Sequence, residues 1–446
     1  MCVQVLLDSP AVEVGHVNAA GKTALHLAAS CGEHTLVAPL VAAGVPLNAS
    51  DAAGNTAVIA AAAAAHERFA TELLSDARAD ASARGDVRRT CLHWAGQRGM
   101  ARLATSLLRR SDVDRDAADA HGDTAAILAA KSEHALVARL MLDAGCDAAV
   151  RGENGRTVAH WAAVHGMRDV METAAPLLSR DALNAADDEG NTPLLCSAIS
   201  RRYCVMLFLL QACADVDSSA RGQQGRTALH WVCADGALDI VRLLLGRGME
   251  NARDDSGDTP LVLACRHGHE SVARELVIAS SVNEKGRGGR CALHEASAIG
   301  LRSTVQLLLT RAADVNAADS DANTPLLLAA KAGRDDIATL LIRAGCDVNA
   351  RGAGGSTALC AVADRGSVGI VRLLLDSGAR PDADESGEPP LIRAARRGHW
   401  SVVQALLGHG ASTGRADRHG RTALLWAAQG GHVDVIKALI ARGADW

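Results

Sequence analysis

Five histidines at regular spacing are the residues of this chain that look most able to do chemistry. They occupy the same position of a short recurring motif, at His26, His93, His160, His230 and His294. Imidazole is the commonest protein ligand for metals, so such a row suggests a metal ladder. The intervening copies of the motif carry aliphatic residues there, such as Ile127 and Leu195. These would separate successive histidines and leave a metal poorly coordinated, so we expect no metal site.

Two further clusters resemble a metal site and a phosphate-binding loop but lack the surroundings that such sites require. Cys265, His267 and His269 form a metal-like string, and residues 285–290 form a basic, Gly-rich loop. The string falls on ordinary positions of the recurring motif. The loop lacks the preceding strand and following helix of a phosphate-binding loop. The sequence therefore predicts no catalytic constellation, no cofactor and no enzyme.

Composition excludes several other classes of function. The chain has 46 Lys and Arg against 51 Asp and Glu, without the basic domain that nucleic acid would require. No run approaches the ~18 apolar residues of a membrane span. Its 12 cysteines include no CxxC pair, and we interpret them as small buried hydrophobes in a reducing compartment. We therefore expect a cytoplasmic protein, with the nucleus not excluded.

The recurring motif runs along the whole chain. It consists of Thr, then Ala or Pro, then Leu in most copies, and its 13 copies lie 32 to 35 residues apart. They begin at Thr23, Thr56, Thr90, Thr124, Thr157, Thr192, Thr227, Thr259, Cys291, Thr324, Thr357, Pro389 and Thr422. This pattern resembles the ankyrin repeat family, whose unit of about 33 residues carries T-P-L-H-x-A.

One repeat can also be interpreted from its residues alone. Residues 254–258 form a turn, Thr259 caps a helix, and Pro260 stands at its first turn, where a missing N–H costs nothing. Gly268 ends that helix, and residues 271–278 form a second one with Val272, Leu276 and Val277 directed inward. Helices this short become stable only by packing against neighbouring pairs. The predicted fold is an all-α ankyrin-repeat solenoid, with a helix-turn-helix and a hairpin-like turn in each repeat.

We expect a single, monomeric array over residues 1–446. Repeats are predicted to begin near residues 18, 51, 85, 119, 152, 187, 222, 254, 286, 319, 352, 384 and 417, after a partial repeat at residues 1–17. Both ends look open, because residues 3–7 resemble a second helix without its first and no clearly polar capping repeat is present.

The repeats alternate in charge. Odd-numbered turns carry a base before the motif, as at Arg89, Arg156 and Arg226, whereas even-numbered turns begin with an acid, as at Asp119 and Asp187. Each base could pair with the acid of the next turn, a contact that at an exposed position contributes about 0–1 kcal/mol. Alternatively, the alternating edge could recognise a partner of complementary charge. Both interpretations remain open for different residues.

The family resemblance implies roles for several residues. It implies that the histidines are structural and form hydrogen bonds near the turn. Trp94, Trp161, Trp231 and Trp426 follow the histidine position and either pack in the groove or act as binding hot spots. Ankyrin repeats are also substrates of an asparaginyl hydroxylase acting on D-V-N turns, which implies modification at Asn316 and Asn349.

The resemblance implies a protein-interaction scaffold that binds through its turn tips and the concave face of its first helices. Such proteins have variable positions just before the Thr and just after the second Ala of the motif. The predicted partner-binding residues are therefore Arg89, Arg156, Arg226, Asp258, Arg266, His267, Arg290, Lys331, Arg396 and Arg421. The alternative is a targeting arm of a larger signalling, channel or modifying-enzyme protein. The partner's identity does not follow from fold alone.

Overall fold

The regular structure of this protein is helical. A computed structural model describes residues 15–248, 252–383 and 387–444, and within them it contains 27 α-helices and one isolated β-bridge, between Ala416 and Thr422. The helical segment predicted at residues 3–7 lies outside the described residues. The all-α expectation is confirmed.

The chain divides into two units, residues 1–223 and residues 224–446. The described helices of the first unit are α1 Ala24–Cys31, α2 Val37–Ala42, α3 Ala57–Ala63, α4 Glu67–Leu74, α5 Cys91–Gln97, α6 Ala101–Leu108, α7 Ala125–Lys131, α8 Ala135–Asp143, α9 Val158–His165, α10 Arg168–Ala174, α11 Arg180–Leu183, α12 Pro193–Ile199 and α13 Tyr203–Ala212.

The second unit continues the same alternation of first and second helices. Its described helices are α14 Ala228–Asp235, α15 Leu238–Gly246, α16 Pro260–Arg266, α17 Glu270–Ala279, α18 Ala292–Ile299, α19 Arg302–Thr310, α20 Pro325–Ala332, α21 Asp335–Arg343, α22 Ala358–Arg365, α23 Val368–Asp376, α24 Pro390–Arg397, α25 Trp400–Gly408, α26 Ala423–Gln429 and α27 Val433–Ala441.

Local sequence determines where each helix pair begins and turns. At α16, the Thr259 hydroxyl oxygen accepts a hydrogen bond from the Val262 N–H at 3.3 Å, and Pro260 occupies the first helical position. This arrangement satisfies one of the unpaired donors at the helix start. Gly268 follows with a φ of +80°, a conformation that costs glycine little, and the chain reverses into α17. The predicted capping, break and second helix are confirmed here.

The core lies where successive helix pairs stack. Val272, Leu276 and Val277 on α17 are at most 1% exposed, as predicted, and Leu261 on α16 is buried to the same degree. Small residues allow the first helices to approach closely: a Cβ at Gly96 on α5 would overlap with the Ala125 carbonyl at the start of α7. Close stacking of thin helices explains why nine aromatic residues are enough for a chain of 446 residues.

Most of the described cysteines are part of this core. Those buried are Cys91, Cys146, Cys196, Cys233, Cys265, Cys291, Cys346 and Cys360. Burial raises the pKa of the Cys91 thiol to about 12, so this group remains a neutral, unreactive thiol. These eight residues fit the prediction of small buried hydrophobes, whereas Cys31 and Cys204 are exposed.

Two kinds of feature are absent from the described residues. None of their helices is long and apolar enough to span a bilayer. In the same part of the chain, no three His, Cys, Asp or Glu side chains come together as a metal ion would require.

Candidate interaction surface

Each of the five motif histidines joins its own odd-numbered repeat to the repeat that follows it. The His160 Nδ1 accepts the Thr157 N–H at 3.1 Å, and its Nε2 lies 3.1 Å from the carbonyl oxygen of Asn191 in the following repeat. A carbonyl only accepts hydrogen bonds, so Nε2 carries the proton and the ring is neutral. The same arrangement recurs at His26, His93, His230 and His294.

Burial reinforces that protonation state. The rings of His160 and His230 are fully buried, which lowers the pKa of each to about 4. Cys291 replaces the capping Thr before His294, and its sulfur lies 3.0 Å from Nδ1. The histidines therefore serve capping and inter-repeat bonding, the structural role that the family resemblance implied.

The arginines before the motif pair with aspartates of the following turn. The Arg156 Nε lies 3.0 Å from an Asp187 carboxylate oxygen, and three other pairs repeat this contact at 3.0–3.2 Å. They are Arg89 with Asp119, Arg226 with Asp254, and Arg290 with Asp319. The carboxylates are 0–2% exposed and the arginine side chains 14–34%. Pairing of each base with the next acid is thus confirmed for these four.

Backbone groups also hold these carboxylates. Burial alone raises the pKa of Asp119, but the His121 N–H and the Arg89 guanidinium outweigh burial and keep that pKa below its usual value. Because the aspartate is almost fully buried, this pairing is less screened than an exposed salt bridge.

A different contact joins four even-numbered repeats to the odd-numbered repeat that follows each of them. The Asp123 side-chain oxygen accepts the Glu153 N–H at 2.8 Å, directly across from Gly152. A Cβ at Gly152 would overlap with that oxygen. Three other sites repeat this arrangement, in which a side-chain oxygen accepts a backbone N–H and faces a glycine. The acceptor, donor and glycine are Asn55, Asp86 and Gly85 at the first site, Asn191, Gln223 and Gly222 at the second, and Asp258, Arg287 and Gly286 at the third. Two unlike interfaces therefore alternate, which explains the two-repeat period.

Tryptophans of the odd repeats lie against these cations. The Arg156 guanidinium lies over the Trp161 ring at 5.1 Å, and the Lys131 Nζ of the preceding repeat lies 5.5 Å from the same ring. Arg89 with Trp94, Arg226 with Trp231 and Arg421 with Trp426 repeat the stacking at 5.2, 4.9 and 3.9 Å. Cation–π contacts of this kind contribute about 0.5–1 kcal/mol at exposed sites. Each ring is half-buried.

The indole N–H groups are not all satisfied. The Nε1 atoms of Trp94, Trp161 and Trp231 are buried without a hydrogen-bond partner among the described residues, whereas the Trp426 Nε1 donates to Asp417 at 3.1 Å. These tryptophans pack in the groove, and the geometry leaves their role as hot spots a prediction.

Cations at the ends of the even first helices bind acceptors eight residues earlier. Lys131 pairs with Asp123 at 3.1 Å, and the Lys331 Nζ donates to the Asn323 side-chain oxygen at 2.9 Å. Arg266 pairs with Asp258 and Arg396 with Glu388 in the same way. In repeat nine Glu295 takes the tryptophan position, and its carboxylate lies 3.0 Å from Arg266.

The predicted partner-binding residues thus differ in the contacts that their side chains already make within the chain. Those engaged with the following repeat are Arg89, Arg156, Arg226 and Arg290, and Arg421 is engaged with Asp417 of its own repeat. Asp258 is 1% exposed, and Arg266, Lys331 and Arg396 bind side chains of their own repeats. His267 is exposed. Their part in partner binding stays a prediction.

Sequence reasoning missed two components of this surface. The first is the side chain just before the even motif, as at Asp123 and Asn191, which caps the following turn. The second is the glycine opposite it. The available signal was the residue five positions before the start of each motif, which alternates between Asp and Gly from Asp51 to Gly352.

The two candidate asparagines also join repeats. The Asn316 side-chain oxygen accepts the Asp347 N–H at 2.8 Å, and the Asn349 oxygen accepts the Arg380 N–H at 2.9 Å. Asn349 further donates to the Gly378 carbonyl at 3.0 Å. The side-chain amides thus form hydrogen bonds with the following repeat, and hydroxylation of either residue stays a prediction.

A family model described as ankyrin repeats (3 copies) matches residues 1–85, 211–286, 277–352, 293–385, 327–417 and 359–446, which together are more than half of the chain. The chain belongs to the ankyrin-repeat family. The human ASB11 ankyrin repeat domain is a similar solved structure, with 26% identity and a TM-score of 0.44 over 50% of this chain and 100% of that one.

Parts of several curated proteins are similar to this chain. Neurogenic locus notch homolog protein 1 of Xenopus tropicalis is 32% identical over 42% of this chain and 8% of its own length. The human transient receptor potential cation channel subfamily A member 1 is 32% identical over 37% of the chain and 16% of its own. The Arabidopsis thaliana E3 ubiquitin-protein ligase KEG is 25% identical over 55% and 16%. The chain thus spans less than a fifth of the length of these relatives.

Proposed function

We propose that this chain is a non-catalytic scaffold that binds other proteins through its turn tips and the exposed ends of its first helices. The observation that carries the proposal is that some arginines bind the next repeat while others are exposed to solvent. Arg89 and Arg156 hold the next repeat, whereas Arg98 and Arg365 at first-helix ends are exposed to solvent. Exposed Arg beside half-buried Trp is a combination enriched at binding hot spots.

The local chemistry around Arg98 illustrates such a contact point. Its guanidinium lies 6.0 Å from the Trp94 ring, and Arg89 lies over the same ring at 5.2 Å. A partner docking here would bury an aromatic ring already held in place, so little side-chain entropy would be lost on binding. We place this scaffold in the cytoplasm or nucleus as part of the proposal.

A second candidate is a targeting arm within a larger protein. The relatives named as an E3 ubiquitin-protein ligase and a cation channel match this chain over only 16% of their own lengths. In this proposal the array selects a partner, and an activity outside the described repeats acts on it. In both candidates the repeats bind a partner protein. The second candidate adds an activity located elsewhere in a larger protein.

A matched pair of exposed arginines in one repeat tests the binding role. Arg98 follows first helix α5, and Arg102 lies on second helix α6; both are exposed. In affinity purification from cell extract, we expect Arg98→Glu to lose partners that Arg102→Glu retains. Partners lost equally with both variants, or with neither, would contradict binding through the first-helix ends. Circular dichroism melts of both variants check that each is folded.

A further inference from the structure

Charge within the first helices is concentrated in three consecutive repeats. Helices α20, α22 and α24 contain five cations and one anion, namely Lys331, Arg365, Arg393, Arg396 and Arg397 against Asp364. The other described first helices together contain two cations and two anions, namely Lys131 and Arg266 against Asp235 and Glu295. One part of the second unit is therefore distinctly cationic on its first-helix side.

Several of these cations are open to solvent. Lys331 and Arg365 are exposed, and the Arg397 side chain is 57% exposed. Arg396 is 29% exposed and adjoins them. We call Lys331, Arg365, Arg396 and Arg397 the cationic face.

The chain itself shows which anion the cationic face accepts. The Asp364 carboxylate lies 3.4 Å from Arg396 and 3.3 Å from Arg397, so one carboxylate bridges two guanidinium groups. Glu388 adds a second carboxylate at 3.0 Å from Arg396. Planar guanidinium groups bind carboxylates with good geometry and remain charged at any physiological pH.

The adjoining aromatic ring argues against a nucleic acid. Trp426 is the aromatic residue of first helix α26, which follows the cationic face. Arg421 lies 3.9 Å and Arg396 5.4 Å from its ring. Single-stranded nucleic acid relies on bases stacking against free aromatic faces. The Arg421 guanidinium, only 3.9 Å from the centre of the ring, covers a face on which a base would otherwise stack, while Arg396 still attracts carboxylates.

We propose that the cationic face binds an acidic peptide segment of a partner protein, with Asp or Glu side chains on Arg365, Arg396, Arg397 and Lys331. This inference rests on the proposed binding function and names the chemistry of its partner. Neighbouring packed helices lie roughly 8–10 Å apart. A peptide in the polyproline II conformation rises about 3.1 Å per residue with three residues per turn, so carboxylates at every third residue lie on one face and match successive first helices.

The test uses the full chain and a labelled twelve-residue peptide of four Gly-Ser-Glu units. Fluorescence anisotropy should show binding that weakens as salt is raised, because exposed charges are screened. We expect Arg397→Glu and Arg365→Glu each to weaken binding at least tenfold, and Arg397→Lys to retain most of it. Arg372→Glu, an exposed position on second helix α23 of the same repeat as Arg365, should leave the affinity within about twofold.

Three outcomes would overturn the inference: no binding of the glutamate peptide, equal weakening by Arg372→Glu, or tighter binding of a twelve-nucleotide oligothymidine with the same sensitivity to Arg397→Glu. A Gly-Ser-Lys peptide of equal length controls for non-specific adsorption. If partners are still lost with Arg98→Glu while the glutamate peptide fails to bind, this inference is wrong and the proposed scaffold function stands.

Discussion

The Arg156 Nε lies 3.0 Å from a carboxylate oxygen of Asp187, a residue of the following repeat whose side chain is only 1% exposed. Removing the arginine would leave a buried carboxylate without its counter-ion. We expect Arg156→Leu to lower the free energy of unfolding by about 1–3 kcal/mol. Urea unfolding followed by circular dichroism measures the change.

An exposed pair supplies the control for that prediction. Arg168 and Glu172 form an i,i+4 contact at 2.7 Å, with side chains 55% and 44% exposed. Arg168→Leu should change the unfolding free energy by no more than about 0.5 kcal/mol. Equal effects of the two substitutions would mean that burial of Asp187 adds nothing to the pair.

The alternation of interfaces predicts that repeats can be deleted in pairs but not singly. Deleting residues 85–151 would bring Asn55 opposite Gly152, an interface of the kind that Asn55 already forms with Gly85. Deleting residues 85–118 would bring Asn55 opposite Asp119, whose side chain would crowd the acceptor and whose partner Arg89 would be gone. The longer deletion should therefore give the higher urea midpoint. A shorter-deletion protein of equal or greater stability would contradict this account.

Glycine substitutions at two sites should act in opposite directions. Gly152→Ala places a Cβ against the Asp123 oxygen, and overpacking of this kind typically costs about 1–3 kcal/mol. Gly369 lies within α23 with no atom near its missing Cβ, so Gly369→Ala should stabilise the helix by about 0.5–1 kcal/mol. Thermal melts of the two variants measure both effects, and the same sign for both would refute the prediction.

Acid should weaken the histidine contacts between repeats. The folded-state pKa of His160 and of His230 is about 4, below the ordinary 6.5, so the unfolded chain binds more protons between these values. The stabilisation that these two neutral rings contribute is therefore complete above pH 6.5 and is lost as the pH falls toward 4. Each ring contributes up to about 3 kcal/mol over that window. Urea midpoints measured at pH 7, 5.5 and 4.5 should fall, and His160→Gln should reduce the fall.

We propose that Asn316 and Asn349 are hydroxylated in the native protein. Both stand in D-V-N turns, and their side-chain amides accept backbone N–H groups of the next repeat. A hydroxylation that leaves the side-chain amide intact would keep these bonds. Peptide mass spectrometry of protein from its native source should find one added oxygen on each residue. Asn184 forms similar bonds outside that motif and should stay unmodified; unmodified Asn316 and Asn349 would end the proposal.

Much of the fold was accessible from sequence because it depends on local rules. The capping Thr, the first-turn Pro260 and Gly268 each determine backbone geometry within a few residues. The pairing of Arg156 with Asp187 was also predictable, since alternating turns place opposite charges on neighbouring repeats. The contact between Asp123 and the Glu153 N–H was not predicted, because its donor is a backbone group that no residue type marks and because it depends on the absence of a Cβ at Gly152.

The candidate surface was predicted less completely than the fold. Residue type and position identified Arg89 and Arg396 as variable, but exposure depends on which neighbour each guanidinium reaches. Arg89 reaches Asp119 of the next repeat, whereas Arg397, one residue beyond a predicted position, remains 57% exposed. Hydrophobic periodicity does not distinguish these cases, because both residues lie on the polar side of their repeats.

The stacking of cations on tryptophan gives each unit an optical reporter of its own. Trp94 and Trp161 lie in the first unit, and Trp231 and Trp426 in the second. An indole half-buried against a guanidinium emits at shorter wavelength than one in water. In variants that keep a single tryptophan, the emission wavelength would thus report which unit unfolds first under force or heat, and which unit changes when a partner binds.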